Sequence, residues 1–175
     1  MLIILPFLIF ASSLYPLNPC EDFLLLIGQR EISTDFTHFI ENCGPFEEQI
    51  SNDFATKTLT NEEKGIEITM TNQVEDPNSL AKYEVFMIEL TAFTDEGGFK
   101  GNWPFGFLLG MDSKLVKKHI ESLNSVTFHK KDLSKKSSSF TYTGAPNSAL
   151  AERQIKVSIF QFDGKTITSM RLRLN

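Results

Sequence analysis

Residues 23–44, FLLLIGQREISTDFTHFIENCG, and residues 99–124, FKGNWPFGFLLGMDSKLVKKHIESLN, follow one plan. Each is an apolar run that closes on a glycine (Gly28, Gly110), then a short polar stretch, then an amphipathic helix. Aligning the helices sets Phe36 on Val116, Ile40 on Ile120, Glu41 on Glu121 and Gly44 on Asn124. A chain that writes one unit twice must bury two equivalent apolar stripes. With 175 residues, it can do so as one domain or as two units of about 75 residues sharing a sheet. The boundaries that follow are a leader over 1–19, a first α+β unit over 20–94 and a second over 95–175.

The helices are well punctuated. Ser33 or Thr34 can cap the first, and Asp35 suits the positive end of its dipole. Phe36, Phe39, Ile40 and Cys43 form one stripe at i, i+3, i+4, i+7, and Gly44-Pro45 ends it. The second helix starts from Asp112, with Leu115, Val116, Ile120 and Leu123 expected inside. After each helix the period falls to two. Ile66, Ile68 and Met70 alternate with polar residues behind a turn at Asn61 to Gly65. A strand over 83–93 offers Phe86, Ile88 and Leu90 on one face and Tyr83, Val85 and Met87 on the other. VTFHKK and SSFTYTG read as shorter strands.

The clearest element is a hairpin over 154–174 that turns at Asp163-Gly164, because Asp-Gly suits the positive φ angles of a type I′ turn. A two-residue turn there sets Ile155 opposite Leu172, Val157 opposite Met170 and Ile159 opposite Thr168 on a core face. The reverse face then carries Lys156 with Arg171, Ser158 with Ser169 and Phe160 with Ile167, and Phe162 lies beyond.

Charge divides the chain. Residues 20–94 hold fifteen Asp/Glu against four Lys/Arg, a balance of −11; residues 95–175 hold seven against thirteen, a balance of +6. Such a split either reflects two solvated faces or makes a dipolar surface that steers a charged partner or orients self-association. The basic half lacks interleaved exposed aromatics and groove-reading motifs, so no nucleic-acid partner is expected. MLIILPFLIFASS carries a nine-residue apolar run followed by Ala11 and Ser13. It is too short to span a bilayer, which takes about 20 residues. It reads as a signal peptide without the usual basic n-region, or as an N-terminal strand or buried segment. Export to the periplasm or medium follows from the first reading and a cytoplasmic protein from the second. The two cysteines, Cys20 and Cys43, bracket the first helical segment. They suit either a disulfide closing its entry and exit, or two small buried side chains.

No catalytic constellation is written in the chain. His38, His119 and His129 are scattered and read as surface residues, and no phosphate loop, GxSxG elbow or paired-histidine motif occurs. Neighbouring Glu47-Glu48 and Glu62-Glu63 point apart in a strand, and the loop at Glu75, Asp76 and Asn78 lacks calcium-loop spacing. No metal or cofactor is expected. Trp103-Pro104-Phe105-Gly106 reads as a stiff elbow that seats its aromatics at the junction of the halves, or presents Trp103 and Phe105 as interface anchors. The outward sheet faces supply the other binding candidates: Tyr83, Val85 and Met87, with Lys156, Phe160, Phe162, Ile167 and Arg171.

The phrase WPFGFLLGMDSKLVKKHIESLN is similar to the LPxGLxxGMSxxEVxxLLG signature of bacterial β-lactamase-inhibitor-like repeats. The whole of 22–175 resembles two such repeats in tandem, as in SmpA/OmlA-type outer-membrane assembly lipoproteins and small immunity proteins against polymorphic toxins. Asn124-Ser125 replaces the usual Gly-x-Pro, and no lipobox precedes Cys20. The resemblance implies two tandem helix-hairpin plus antiparallel-sheet repeats whose free sheet face grips a protein. The expected function is therefore a non-enzymatic inhibitor or immunity-type binding module, monomeric or weakly dimeric. The alternative is an exported envelope assembly or scaffold protein.

Overall fold

A computed structural model describes residues 23–72, 83–92, 95–108, 111–123, 126–132, 140–146, 155–162 and 166–174, with backbone alone over 126–132, 140–146 and parts of 113–162. The fold is α+β. Helices α1 (Phe23–Leu26), α2 (Thr34–Cys43) and α3 (Ser113–Ser122) accompany strands β1 (Glu47–Ile50), β2 (Thr56–Asn61), β3 (Ile66–Asn72), β4 (Tyr83–Thr91), β5 (Val126–Asp132), β6 (Phe140–Pro146), β7 (Ile155–Phe162) and β8 (Thr166–Leu174). The strands form one sheet in the order β1-β2-β3-β4-β8-β7-β6-β5, antiparallel at every interface.

Both long helices begin where their caps place them. The Ser33 hydroxyl accepts from the Phe36 N–H at 3.3 Å, and the Asp112 carboxylate accepts from Lys114 and Leu115 N–H groups at 2.9 and 2.8 Å. Each bond satisfies a helix-end donor that would otherwise lack a partner. α2 buries Phe36, Phe39 and Cys43. α3 buries Val116, with His119, Ile120 and Leu123 partly covered beside it. Leu115, expected inside, is 53% exposed. The stripe runs through 116, 119, 120 and 123, and Leu115 stands about 100° round from Val116.

These helical side chains join Ile66, Ile68, Met70, Ile88, Leu90, Ile155, Ile159, Met170 and Leu172 in one core on one face of the sheet. The strand β4 enters that core in two phases. Ile66 stands opposite Leu90, Ile68 opposite Ile88 and Met70 opposite Val85, so Phe86 is an extra residue on β4. A bulge of this kind inserts one residue and inverts the alternation beyond it. Val85 and Tyr83 therefore turn inward together with Ile88 and Leu90, and Tyr83 and Val85 leave the outer face to which simple alternation assigns them. β8 repeats the device. Phe160 stands opposite Ser169 and Gln161 opposite Ile167, so Thr168 is the extra residue and both Ile167 and Met170 are buried.

The hairpin register differs accordingly from the two-residue-turn expectation. Ile155 stands opposite Leu174, Val157 opposite Leu172 and Ile159 opposite Met170. Phe162 stands opposite Thr166, which shifts the pairing by one residue, and the bulge shifts it by one more. Asp163-Gly164 lies outside the described residues, as do Cys20, the loop at 73–82 and the N-terminal segment. Strands β1 and β2 have no counterpart in the sequence reading, because only Leu59 and Asn61 among their residues are buried.

The central pair β4/β8 is hydrogen-bonded to its neighbour over 87–91 and 169–173. Beyond that stretch each strand is covered by the chain segment just ahead of a long helix. The Val85 N–H donates to the Gln29 carbonyl at 2.8 Å, and the Ile167 N–H to the Met111 carbonyl at 3.2 Å. Isolated bridges pair Arg30 with Glu84 and Asp112 with Thr166. Gly65, at φ +60°, closes the β2–β3 turn so tightly that a Cβ there would lie 2.3 Å from the Thr91 carbonyl oxygen. Urea titrations should separate the two faces of these strands. Ile167→Ala should cost about 2–5 kcal/mol as a buried truncation, and Met87→Ala less than about 1 kcal/mol.

Candidate functional site

The sheet face turned away from the helices is the candidate surface. A single row of opposed residues crosses it through Glu47, Thr60, Glu67, Glu89, Arg171, Ser158, Thr143 and His129, one from each strand in spatial order. At its middle the Arg171 guanidinium holds Glu89, with Nε donating to Oε2 at 2.9 Å and Nη2 to the same oxygen. The pair is half-buried, with side chains 37% and 20% exposed, so solvent screens it only in part.

Glu67 stands beside Glu89 in this row. Burial, and then the Glu89 charge, push its carboxyl above the ordinary value of 4.5, against the pull of Arg171. One step along the strands, Thr69, Met87 and Arg173 form a second row. The Arg173 guanidinium lies over the Phe86 ring at 6.0 Å from its centre, a cation–π contact. The bulge at Phe86 thus leaves two apolar side chains, Phe86 and Met87, half-buried beside two arginines.

Of the candidates read from the sequence, Met87 and Arg171 meet on this face. Tyr83, Val85 and Ile167 lie in the core instead, for the reason of the bulges. The Tyr83 hydroxyl donates to the Phe54 carbonyl at 3.2 Å, and its ring receives the Lys57 ammonium at 4.9 Å, on the helix side of the sheet. There the Lys57 ammonium also binds Glu31 at 2.8 Å. Burial would lower the Lys57 pKa, but Glu31 and then Glu48 outweigh it and raise it. Lys156, Phe160 and Phe162 stand in register opposite Arg173, Ser169 and Thr166; their side chains lie outside the described residues.

Trp103 is 2% exposed and edge-on to Phe99 at 5.9 Å, which places it in the structural elbow and removes it from the surface. Its indole N–H has no acceptor among the described residues. Phe105 is half-buried at φ +62°, a left-handed conformation uncommon for a bulky residue. Its carbonyl lies 2.9 Å from His119 Nε2, and the His119 ring sits edge-on to Phe107 at 4.8 Å. His119 is therefore a fastening of the elbow to α3, where the sequence reading has a surface residue. Its position at i+3 from Val116 is the signal that finds it. Phe86, Glu67, Glu89 and Arg173 were also outside the sequence candidates.

Cys43 is fully buried and disulfide-bonded; Cys20, the other cysteine of the sequence, lies outside the described residues. The Cys43 carbonyl accepts from Asn61 Nδ2 at 2.9 Å and Lys64 Nζ at 3.1 Å, tying the end of α2 to the β2–β3 turn. Among the described residues, no group of three or more His, Cys, Asp or Glu is placed to hold a metal ion, and no helix is long and apolar enough to cross a membrane.

No family model, curated protein or solved structure matches the chain. The surface presents a half-buried ion pair flanked by apolar and cationic groups.

Two measurements follow from this geometry. A carboxyl whose folded pKa is raised binds its proton more tightly folded than unfolded, so stability declines as pH rises from about 4.5 through the folded value. Glu67→Gln should raise the thermal midpoint at pH 7, leave it nearly unchanged well below pH 4.5, and flatten the slope between. Reduction of the disulfide should lower the unfolding free energy by about 3 kcal/mol, the scale for a loop of some twenty residues, read as a shift of the urea midpoint with and without reductant.

Proposed function

We propose that this protein is a non-enzymatic binding module, of inhibitor or immunity type, that grips a protein target with its uncovered sheet face. The observation that carries this reading is the strip of Phe86, Met87 and Arg173 beside the Glu89–Arg171 pair, on the face opposite the helices. Aromatic and arginine side chains of this kind supply most of the energy at protein interfaces. We also propose that the architecture is a tandem pair of β-lactamase-inhibitor-like repeats. Support comes from correspondences separated by 82 residues: Gly28 and Gly110, the bridges Arg30–Glu84 and Asp112–Thr166, the bonds to Gln29 and Met111, and the extra residues Phe86 and Thr168. Glu89 and Arg171, paired at the centre, are themselves corresponding residues.

Export is the proposed location, supported by the Cys43 disulfide, which persists outside reducing compartments, and by the apolar N-terminal run. The same disulfide supports the second reading, an exported envelope assembly or scaffold protein. The two differ in partner. Co-purification with membrane proteins favours the scaffold, and with a toxin or hydrolase the inhibitor.

Calorimetry against the toxin or hydrolase that co-purifies with the protein provides the test. Met87→Ala combined with Arg173→Glu should weaken binding at least about 100-fold, equivalent to about 2.7 kcal/mol, while leaving the thermal midpoint within about 2 °C of wild type. Undiminished affinity in that variant would sink the assignment of this face.

A further inference from the structure

The two edges of the sheet carry opposite charge. Strand β1 contributes exposed Glu47 and Glu48 at one edge, and β5 contributes His129, Lys130 and Lys131 at the other. Every interface within the sheet is antiparallel and the strands number eight among the described residues, so β1 and β5 run in opposite directions. A copy that continues the sheet, turned by the sheet's own twist, therefore brings its β1 alongside β5 of the first copy in antiparallel orientation. Edge amides and carbonyls that have no strand partner among the described residues then meet partners.

The register of that meeting is given by the row itself, which ends on Glu47 at one edge and His129 at the other. Continuing it across the junction sets Glu47 of one copy level with His129 of the next, Phe46 level with Lys130 and Pro45 level with Lys131. At that end of β1 lies a cleft of about 350 Å³ whose lining includes Pro45, Phe46, Glu47, Glu62, Glu63 and Glu96. The basic end of β5 thus arrives at four carboxylates.

We propose that copies of this protein associate edge to edge, β1 of one against β5 of the next. The contact is heterologous, so it leaves a free acidic edge at one end and a free basic edge at the other. The division of net charge between the halves, −11 over residues 20–94 and +6 over residues 95–175, lies along the same axis and orients the encounter. The uncovered sheet face stays open throughout, so this association is independent of what that face binds.

Sedimentation velocity of the full chain tests the proposal. In about 0.1 M salt, where charges reach about 10 Å, the weight-average mass should rise with concentration. In about 1 M salt, where they reach about 3 Å, association should weaken at least about tenfold. Lys130→Glu with Lys131→Glu should sediment as a monomer, and so should Glu47→Lys with Glu63→Lys, each with an unchanged thermal midpoint. An equimolar mixture of the two variants should associate again, because every acidic edge of one finds a basic edge of the other. As a second measurement, a chain carrying both Gln49→Cys and Thr127→Cys, level in this register, should give a ladder of disulfide-linked multimers. A wild-type chain that stays monomeric at about 1 mM would overturn the proposal. So would association that survives both charge reversals and high salt, which would place the contact on exposed apolar side chains such as Ile32 and Phe54. A mixture that remains monomeric would overturn it equally.

Discussion

The pairing of β4 with β8 over residues 87–91 and 169–173 is the constraint on which the rest of the structure depends. It turns two four-stranded meanders into one sheet and aligns their apolar faces into a single core. Neither strand is bonded to the other along its full length. The remaining edge of each is taken up by backbone just ahead of a long helix, at Gln29 and at Met111. The same short segments therefore close the sheet at its middle and set where the helices enter. Glu89 and Arg171 sit at the centre of this seam, where the opposed charges favour one register over its neighbours.

Bulges reconcile that seam with the core. A strand without one can offer only alternate residues to a face. By spending one extra residue at Phe86 and another at Thr168, β4 and β8 bury Val85 with Ile88 and Ile167 with Met170. The outer face gains in exchange the adjacent Phe86 and Met87. Core packing and surface chemistry are thus two results of one backbone irregularity.

Much of the local structure was legible from the chain. Ser33 and Asp112 announce their helices because short polar side chains satisfy helix-end donors, and Ile66, Ile68 and Met70 announce β3 by simple alternation. The bulges were not legible. YEVFMIELT is apolar at both parities around Val85, Phe86, Met87 and Ile88, so no pattern of period two marks where the phase inverts. That gap moved Tyr83, Val85 and Ile167 from the expected outer face into the core. β1 and β2 escaped notice for the opposite reason: edge strands bury too little to leave an apolar signature. The candidate site suffered most, because it is defined by which residues stand opposite one another, and register across a seam 82 residues apart is a property of the whole sheet.

The order of the strands also sets a timetable. β4 is finished at Thr91, but the neighbour that covers its free edge begins only at Thr166 and is the last of the described strands. At a synthesis rate of about 5–20 residues per second, the first meander waits several seconds with Met87 and Glu89 on an open edge, or as long as translocation takes if the chain is threaded through a membrane. An unpaired strand edge is a ready template for pairing with another chain. Glu89, the charged residue on the stretch of β4 that waits for β8, is therefore placed to guard that edge before the fold is complete.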